Sequence, residues 1–346
     1  MYDFRHVLYT EELKEVANDM RIIEVFRRKT IVITGARGLI GSELVDVLMY
    51  ANKQWDLKCR IYAVVRNRAK AEQRFEQYVN SEYFIICEAD VNLEEIRIGE
   101  DVDFFVHAAS NTHPLHYVSK PIETILTNTL GTNNTLKFAV EHRCKRFVFL
   151  SSVEIYGESR GDTKLFAEDD CGYIDCNTLR AGYPEGKRAG EALCQAYIHE
   201  KKLDCVIPRI ARCYGPGLLE NDTKAISQFI RNGMAGKDII LKSSGMQKYS
   251  YVYAADVVSA ILFLIKYGKS AEAYNVTGTD SDITLLELAE MIANKAGTKV
   301  RSGSAGTVER LGSSRATKAL LDGSKIRKAG WQAKISLEEG IGRLFG

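Results

Sequence analysis

Tyr183 and Lys187 stand four residues apart in Tyr183-Pro184-Glu185-Gly186-Lys187, inside a run that reads as helix, so their side chains share one face. A phenol with a pKa near ~10 is a weak base at neutral pH. A cation one helical turn away favours its ionised form and suits Tyr183 to take a proton from a hydroxyl. A second chemical signal lies upstream: Thr34-Gly35-Ala36-Arg37-Gly38-Leu39-Ile40-Gly41 follows the apolar run Thr30-Ile31-Val32-Ile33 and opens an apolar helical pattern. It reads as strand, glycine turn and helix N-terminus. Gly35 permits the tight turn, Gly38 lets backbone approach a pyrophosphate, Gly41 lets helix pack closely on strand, and the helix N–H groups receive the negative charge.

These groups need a rigid frame. From Thr30 onward, strand-like runs (Arg60 to Val65, Tyr83 to Cys87, Val102 to Val106, Arg146 to Leu150, Cys205 to Ile207) alternate with helical ones, which argues for an α/β protein built on a doubly wound parallel sheet. Residues 1–29 precede the first strand and carry apolar residues three or four apart (Leu13, Val16, Met20, Ile23, Phe26), so they read as a helical extension packed on the first lobe or on another subunit. Val300 to Arg315, rich in Gly, Ser and Arg without periodicity, reads as a loop.

Composition narrows the partners. A net charge of +2 with interspersed signs leaves no electrostatic footprint for nucleic acid or a membrane surface. No apolar run approaches the ~20 residues that span a bilayer, and charges occupy the N-terminus, so a soluble, cytoplasmic protein is expected. The eight cysteines include no C-x-x-C pair and no His spacing suited to zinc; they read as reduced structural residues, with no metal site.

In this order the two signals resemble the extended short-chain dehydrogenase/reductase superfamily, specifically its nucleotide-sugar epimerases, dehydratases and decarboxylases. Further segments carry the likeness: Asp90 and Val91 after the third strand, His107-Ala108-Ala109-Ser110 after the fourth, Asn128 in Thr127-Asn128-Thr129-Leu130-Gly131-Thr132, Ser151-Ser152-Val153-Glu154-Ile155-Tyr156-Gly157, and Pro208-Arg209-Ile210-Ala211-Arg212-Cys213-Tyr214-Gly215-Pro216-Gly217. The resemblance implies a Rossmann-like NAD(P)-binding domain over 30–212, rejoined by about 248–275, with 213–247 and 276–346 forming a smaller mixed α/β substrate lobe. It implies cofactor contacts from Gly35, Arg37, Gly38, Leu39, Ile40, Gly41, Arg66, Asp90, Val91, Ala108, Ala109, Ser110, Asn128, Ser151, Tyr183, Lys187, Pro208 and Arg209. Ser152, Glu154, Tyr183 and Lys187 would be catalytic, with Ser152 holding the sugar hydroxyl from which Tyr183 takes a proton. Asn111, His113, Ser152, Val153, Arg212 and Tyr249 would touch a nucleotide-activated sugar, which would be oxidised transiently to a 4-keto sugar by a homodimeric enzyme.

Three departures from the family's pattern bear on the reaction. The 4,6-dehydratases carry an acid where this chain has Val153; UDP-glucuronate decarboxylases carry a polar residue there, which this chain lacks, but share the Glu and a helix motif close to Ala181-Gly182-Tyr183-Pro184-Glu185-Gly186-Lys187-Arg188. The resemblance thus implies an epimerase or dehydratase in the broad sense, with a UDP-glucuronate decarboxylase-like enzyme as the alternative. Tyr249 stands where relatives commonly have a phosphate-gripping arginine, and neighbouring Lys248 would face the other side of its strand, which leaves Arg209 and Arg212 as candidate anion ligands. Arg66 ends the second strand in place of the acid of NAD-preferring relatives and would suit a 2′-phosphate, so NAD and NADP remain open. An NADPH-dependent keto or aldehyde reductase is the rival enzyme. A non-catalytic redox sensor is the rival from another class, opposed by the Tyr183–Lys187 pair.

Overall fold

The computed structural model describes residues 7–93, 95–112, 114–159, 164–218, 222–312 and 316–346. The apolar, β-branched runs form one parallel sheet from β1 (Thr30–Thr34), β2 (Arg60–Val65), β3 (Phe84–Glu88), β4 (Phe104–His107), β5 (Arg146–Phe149) and the strands Cys205–Ile210 and Ala273–Val276. Across the sheet the order is Ala273–Val276, Cys205–Ile210, β5, β4, β1, β2, β3, with every neighbouring pair parallel. β1 is buried along its whole length, as a strand covered on both faces must be. Ile31 and Ile33 point to one layer, which includes the Leu39–Trp55 helix; Val32 points to the other, which includes the Pro121–Glu141 and Gly182–Lys201 helices. Chain order reverses between β1 and β4, and at such a switch point the strands' carboxyl ends open a crevice.

The expected Rossmann-like fold with a smaller lobe is what the chain adopts, with two corrections to its parts. Strand Lys248–Tyr253 does not rejoin the large sheet. It pairs with Asp282–Thr284, Lys318–Ala319 and Arg212–Tyr214 in the small one, and the chain returns through the following helix, Ala254–Tyr267. Within Val300 to Arg315, Val300–Ser302 pairs parallel with Ile239–Leu241 and Thr307–Gly312 is helical. A three-residue edge strand is too short to show a period.

The N-terminal extension forms α1 (Val7–Ala17) and then breaks, because the Asp19 carboxylate accepts the Arg21 N–H and restarts a short helix at Met20. α1 lies against the Leu39–Trp55 helix. The Tyr9 hydroxyl donates to Asp46 Oδ2 at 2.6 Å and the Tyr253 hydroxyl to Glu12 Oε2 at 2.9 Å. Glu12 and Glu43 meet in this interface. Burial pushes Glu43 well above the carboxylate range, reinforced by the charges of Glu12 and Asp46. Burial also raises Glu12 to about 7, against the Tyr253 hydroxyl and the Arg343 charge. Two such acids side by side retain a proton near neutral pH.

All eight cysteines are unpaired thiols. Among the described residues no helix is long and apolar enough to cross a membrane.

Candidate active site

The glycine turn is fixed by close contacts. Gly35 has φ of +64°, and a Cβ there would lie 2.7 Å from the Ala108 carbonyl oxygen; one on Gly41 would collide with the Gly35 carbonyl. The Gly38 N–H closes the turn onto the Gly35 carbonyl at 2.9 Å. The 17-residue helix then starts at Leu39 with first-turn N–H groups that have no acceptor within the helix. Backbone that must come this close, ending in a helix N-terminus, fits a dinucleotide's pyrophosphate.

A cavity of about 220 Å³ opens beside the turn. It brings together Gly35, Gly38, Leu39, Ile40, Gly41, Ala108, Ser110, Ser151, Ser152, Val153, Glu154, Tyr183, Lys187 and Arg212 of the residues singled out in the sequence. Ser152 ends the short strand after β5, where its hydroxyl accepts the Glu154 N–H at 3.2 Å and hydrogen-bonds Tyr183. Tyr183 is buried and stacks on Tyr117, with ring centroids 4.9 Å apart. Burial pushes its phenol up to about 12; the Ser152 hydrogen bond lowers it, Glu154 raises it and Arg180 lowers it.

Lys187 differs from expectation. Its Nζ donates to the Leu150 carbonyl at 2.7 Å over the Phe149 ring, and burial brings it down to about 8. Ser152 and Arg180, and not Lys187, are the groups of the chain that pull the tyrosine down.

Glu154 is held between two arginines, with Arg180 Nη2 at 2.6 Å and Arg212 Nη2 at 3.4 Å. Burial would raise its pKa, but the two guanidinium charges outweigh burial and hold it below the usual range. Arg180 and Tyr117 were missed from sequence. A signal for Arg180 existed, since Arg180-Ala181-Gly182-Tyr183 sets it three residues ahead of the tyrosine.

Arg212 also lies over the Tyr249 ring, 3.7 Å from its centroid, and its buried Nε makes no hydrogen bond. A cation therefore reaches the place that Tyr249 leaves uncharged, delivered from the paired strand Arg212–Tyr214. Lys248 is exposed at the strand's first position. A second cavity, about 390 Å³, shares the Arg212 wall and includes Lys224, Phe229, Lys242, Tyr249 and Tyr251.

Several singled-out residues lie elsewhere. Arg209 forks onto Glu191 at 3.0 and 2.7 Å and donates to the Tyr156 hydroxyl and the Glu168 carbonyl, a half-buried structural set. Pro208 is inside the sheet opposite Tyr274, so Ile210 and Ala211, further along the strand, line the cavity instead. Asn128 sits behind the wall, donating to the Thr124 carbonyl and accepting from Ser110. Asp90 accepts the Asn92 N–H, Val91 is buried, and the Ala109 N–H goes to Thr34 Oγ1. Arg37 is half-buried in the glycine turn. Arg66 Nη1 and Asn111 Nδ2 both bind Glu123. His113 lies outside the described residues. His107 is a structural pin between Thr34 and Thr132, brought down to about 3 by burial and then by the Lys187 charge.

With this geometry in view, residues 31–277 match the sequence pattern of the NAD dependent epimerase/dehydratase family. The chain belongs to that family. It is similar to UDP-glucuronic acid decarboxylase 1 of Xenopus tropicalis, at 30% identity over 325 residues that cover 91% of this chain and 71% of the relative. The Danio rerio protein of the same description is 30% identical over 322 residues, 91% of this chain and 72% of its own. A dTDP-glucose 4,6-dehydratase from Streptomyces venezuelae superposes with a TM-score of 0.77 at 23% identity, over 91% of this chain and 95% of that one, which shows the shared fold. A member of the epimerase/dehydratase family with this fold is an enzyme, and its family acts on nucleotide sugars.

Proposed function

We propose that the protein oxidises C4 of a UDP-hexuronate and then releases the sugar's carboxyl group as carbon dioxide. The observation that carries this reading is the convergence of Arg180 and Arg212 on Glu154 beside Ser152 and Tyr183. Two guanidinium groups around one carboxylate leave positive charge at the sugar end for a substrate carboxylate. The buried apolar Val153 offers no acid to help a C6 hydroxyl depart, which disfavours dehydration. The similarity to UDP-glucuronic acid decarboxylases supports the same direction.

Ser152 holds the C4 hydroxyl and Tyr183 takes its proton. The glycine turn and the Leu39–Trp55 helix N-terminus hold the dinucleotide, whose nicotinamide, when bound, supplies the hydride acceptor. Lys187, held by the Leu150 carbonyl, lines the same cavity as Tyr183. The resulting ketone lies β to the carboxylate, so the C5–C6 bond can break with its electron pair entering a C4 enolate as carbon dioxide leaves. C5 would then take a proton, and return of the hydride to C4 with Tyr183 giving its proton back would leave a product lighter by carbon dioxide alone. Arg212, Lys224 and Lys242 of the second cavity receive the diphosphate.

Incubation with UDP-glucuronate and a product mass lower by carbon dioxide tests this. An unchanged mass with inverted stereochemistry assigns epimerisation, and no turnover without added NADPH and a keto substrate assigns reduction. Tyr183→Phe should lower turnover by ~10²–10⁴.

We also infer a cytoplasmic homodimer. Unpaired thiols suit a reducing compartment. Ile122, Leu126 and Leu130, four apart and exposed on the Pro121–Glu141 helix, form an apolar stripe suited to a second copy. Light scattering of Leu126→Asp against wild type checks it: the variant should run as a monomer.

A further inference from the structure

Arg66 by itself argues for a cofactor with a 2′-phosphate, but it does not stand by itself. The sheet order β4, β1, β2 places the glycine turn between the chain leaving β2, where Arg66 sits, and the chain leaving β4, which carries Asn111. Glu123, in the first turn of the Pro121–Glu141 helix, closes that gap. Its Oε1 accepts from Arg66 Nη1 at 2.5 Å and from Asn111 Nδ2 at 3.2 Å, while Lys120 Nζ is 3.0 Å from Oε2. The carboxylate thus joins the β2 side of the crevice to the β4 side beside the glycine turn.

This bridge changes what the end of β2 offers. The acid that relatives carry on the second strand is absent, yet an acid from another helix pairs with the guanidinium of the residue that replaces it. Burial would raise Glu123, but its hydrogen bonds to Arg66, Lys120 and Asn111 hold it down at about 2, so it is ionised throughout the working range. A 2′-phosphate could engage Arg66 only by displacing this carboxylate and leaving it beside a dianion. A ribose diol requires no displacement, because the carboxylate has acceptor capacity beyond its present partners.

We propose that Glu123 is the specificity residue that makes this enzyme choose NAD over NADP, by neutralising Arg66 and accepting from the adenosine ribose. This rests on the dinucleotide reading of the glycine turn under the proposed function.

The test is equilibrium binding of NAD and of NADP to the nucleotide-stripped full chain, without turnover. Wild type should bind NAD about tenfold or more tightly than NADP. Glu123→Gln should free Arg66 and raise NADP affinity about tenfold, the scale of one charge-assisted hydrogen bond, and a Glu123→Gln/Arg66→Gln double variant should lose that gain. Circular dichroism establishes that each variant is folded. A wild type that prefers NADP, or a Glu123→Gln variant whose ratio of affinities stays within about twofold of wild type, overturns the proposal. A folded wild type that binds neither dinucleotide overturns the cofactor reading itself.

Discussion

Glu154 and Glu12 are both carboxyl groups taken largely out of water, and their surroundings drive them in opposite directions. In the cleft, Arg180 and Arg212 outweigh burial and keep Glu154 ionised. Beneath α1, the pair Glu12 and Glu43 faces one buried acid with another, and Arg343 Nη1, 3.9 Å from Glu12, does not offset the loss of water. Burial alone therefore does not set the charge of an acid; the count of cations facing it does. The cleft holds a fixed charge, and the α1 interface holds a proton.

The comparison breaks most sharply at Arg180. Arg180→Ala leaves Glu154 buried with Arg212 alone, and removing one partner of a buried ion pair costs ~3–5 kcal/mol. Chemical denaturation should show this loss, and an unchanged midpoint would mean that Arg212 or water compensates fully. Glu154→Gln keeps the shape and removes the charge. If the enzyme decarboxylates UDP-glucuronate, kcat should fall by ~10²–10³, the scale of one preorganised electrostatic partner, whereas an epimerase should tolerate the change far better.

The pH dependence separates the two regions by sign. The pKa of Glu12 is raised on folding from an ordinary 4.5 to about 7, so its contribution is fully present below 4.5 and is lost as pH rises to about 7. In that window wild-type stability should fall relative to Glu12→Gln by about 1.4 kcal/mol per pH unit, measured by urea titration at a series of pH values. Glu154, whose pKa is lowered on folding, runs the other way: its contribution is present above the ordinary carboxylate range and is lost as the pH falls through its folded pKa. Parallel curves for wild type and Glu12→Gln would refute the protonated state of the α1 interface. The smallest effect expected is that of Tyr253→Phe, which removes one donor to Glu12 at a cost of ~0.5–1.5 kcal/mol and should move its titration further up.

What the sequence revealed and what it concealed follow from range. The glycine turn and the Tyr183–Lys187 spacing are local, and each declares its geometry within one turn of chain, so the fold and the centre of the cleft were legible. Arg180 and Glu154 are separated by 26 residues, and their pairing exists only once the Val153–Tyr156 turn meets the start of the Gly182–Lys201 helix. The choice of Lys187's partner was hidden for the same reason, since the Leu150 carbonyl arrives from β5. Arg209 and Arg212 look equivalent in a strand-like run. Only the packed structure sends Arg209 to Glu191 and Arg212 to the cleft. The small lobe was hardest to read, because Lys248–Tyr253 carries the Tyr and Val that favour a strand but nothing in it declares which sheet it joins.

Arg212 belongs to the walls of both cavities, and this makes it a lever between them. If the substrate's diphosphate occupies the larger cavity as proposed, it competes with Glu154 for the same guanidinium, and the handle of the substrate, far from the reacting carbons, alters the electrostatic balance where bonds change. Binding energy from the handle would thereby be converted into readiness at the sugar. A free uronic acid, lacking the handle, should be turned over far more slowly than its nucleotide-linked form even when its concentration saturates the site, a deficit in kcat beyond the weaker binding, and adding uridine diphosphate as a separate piece should restore part of it.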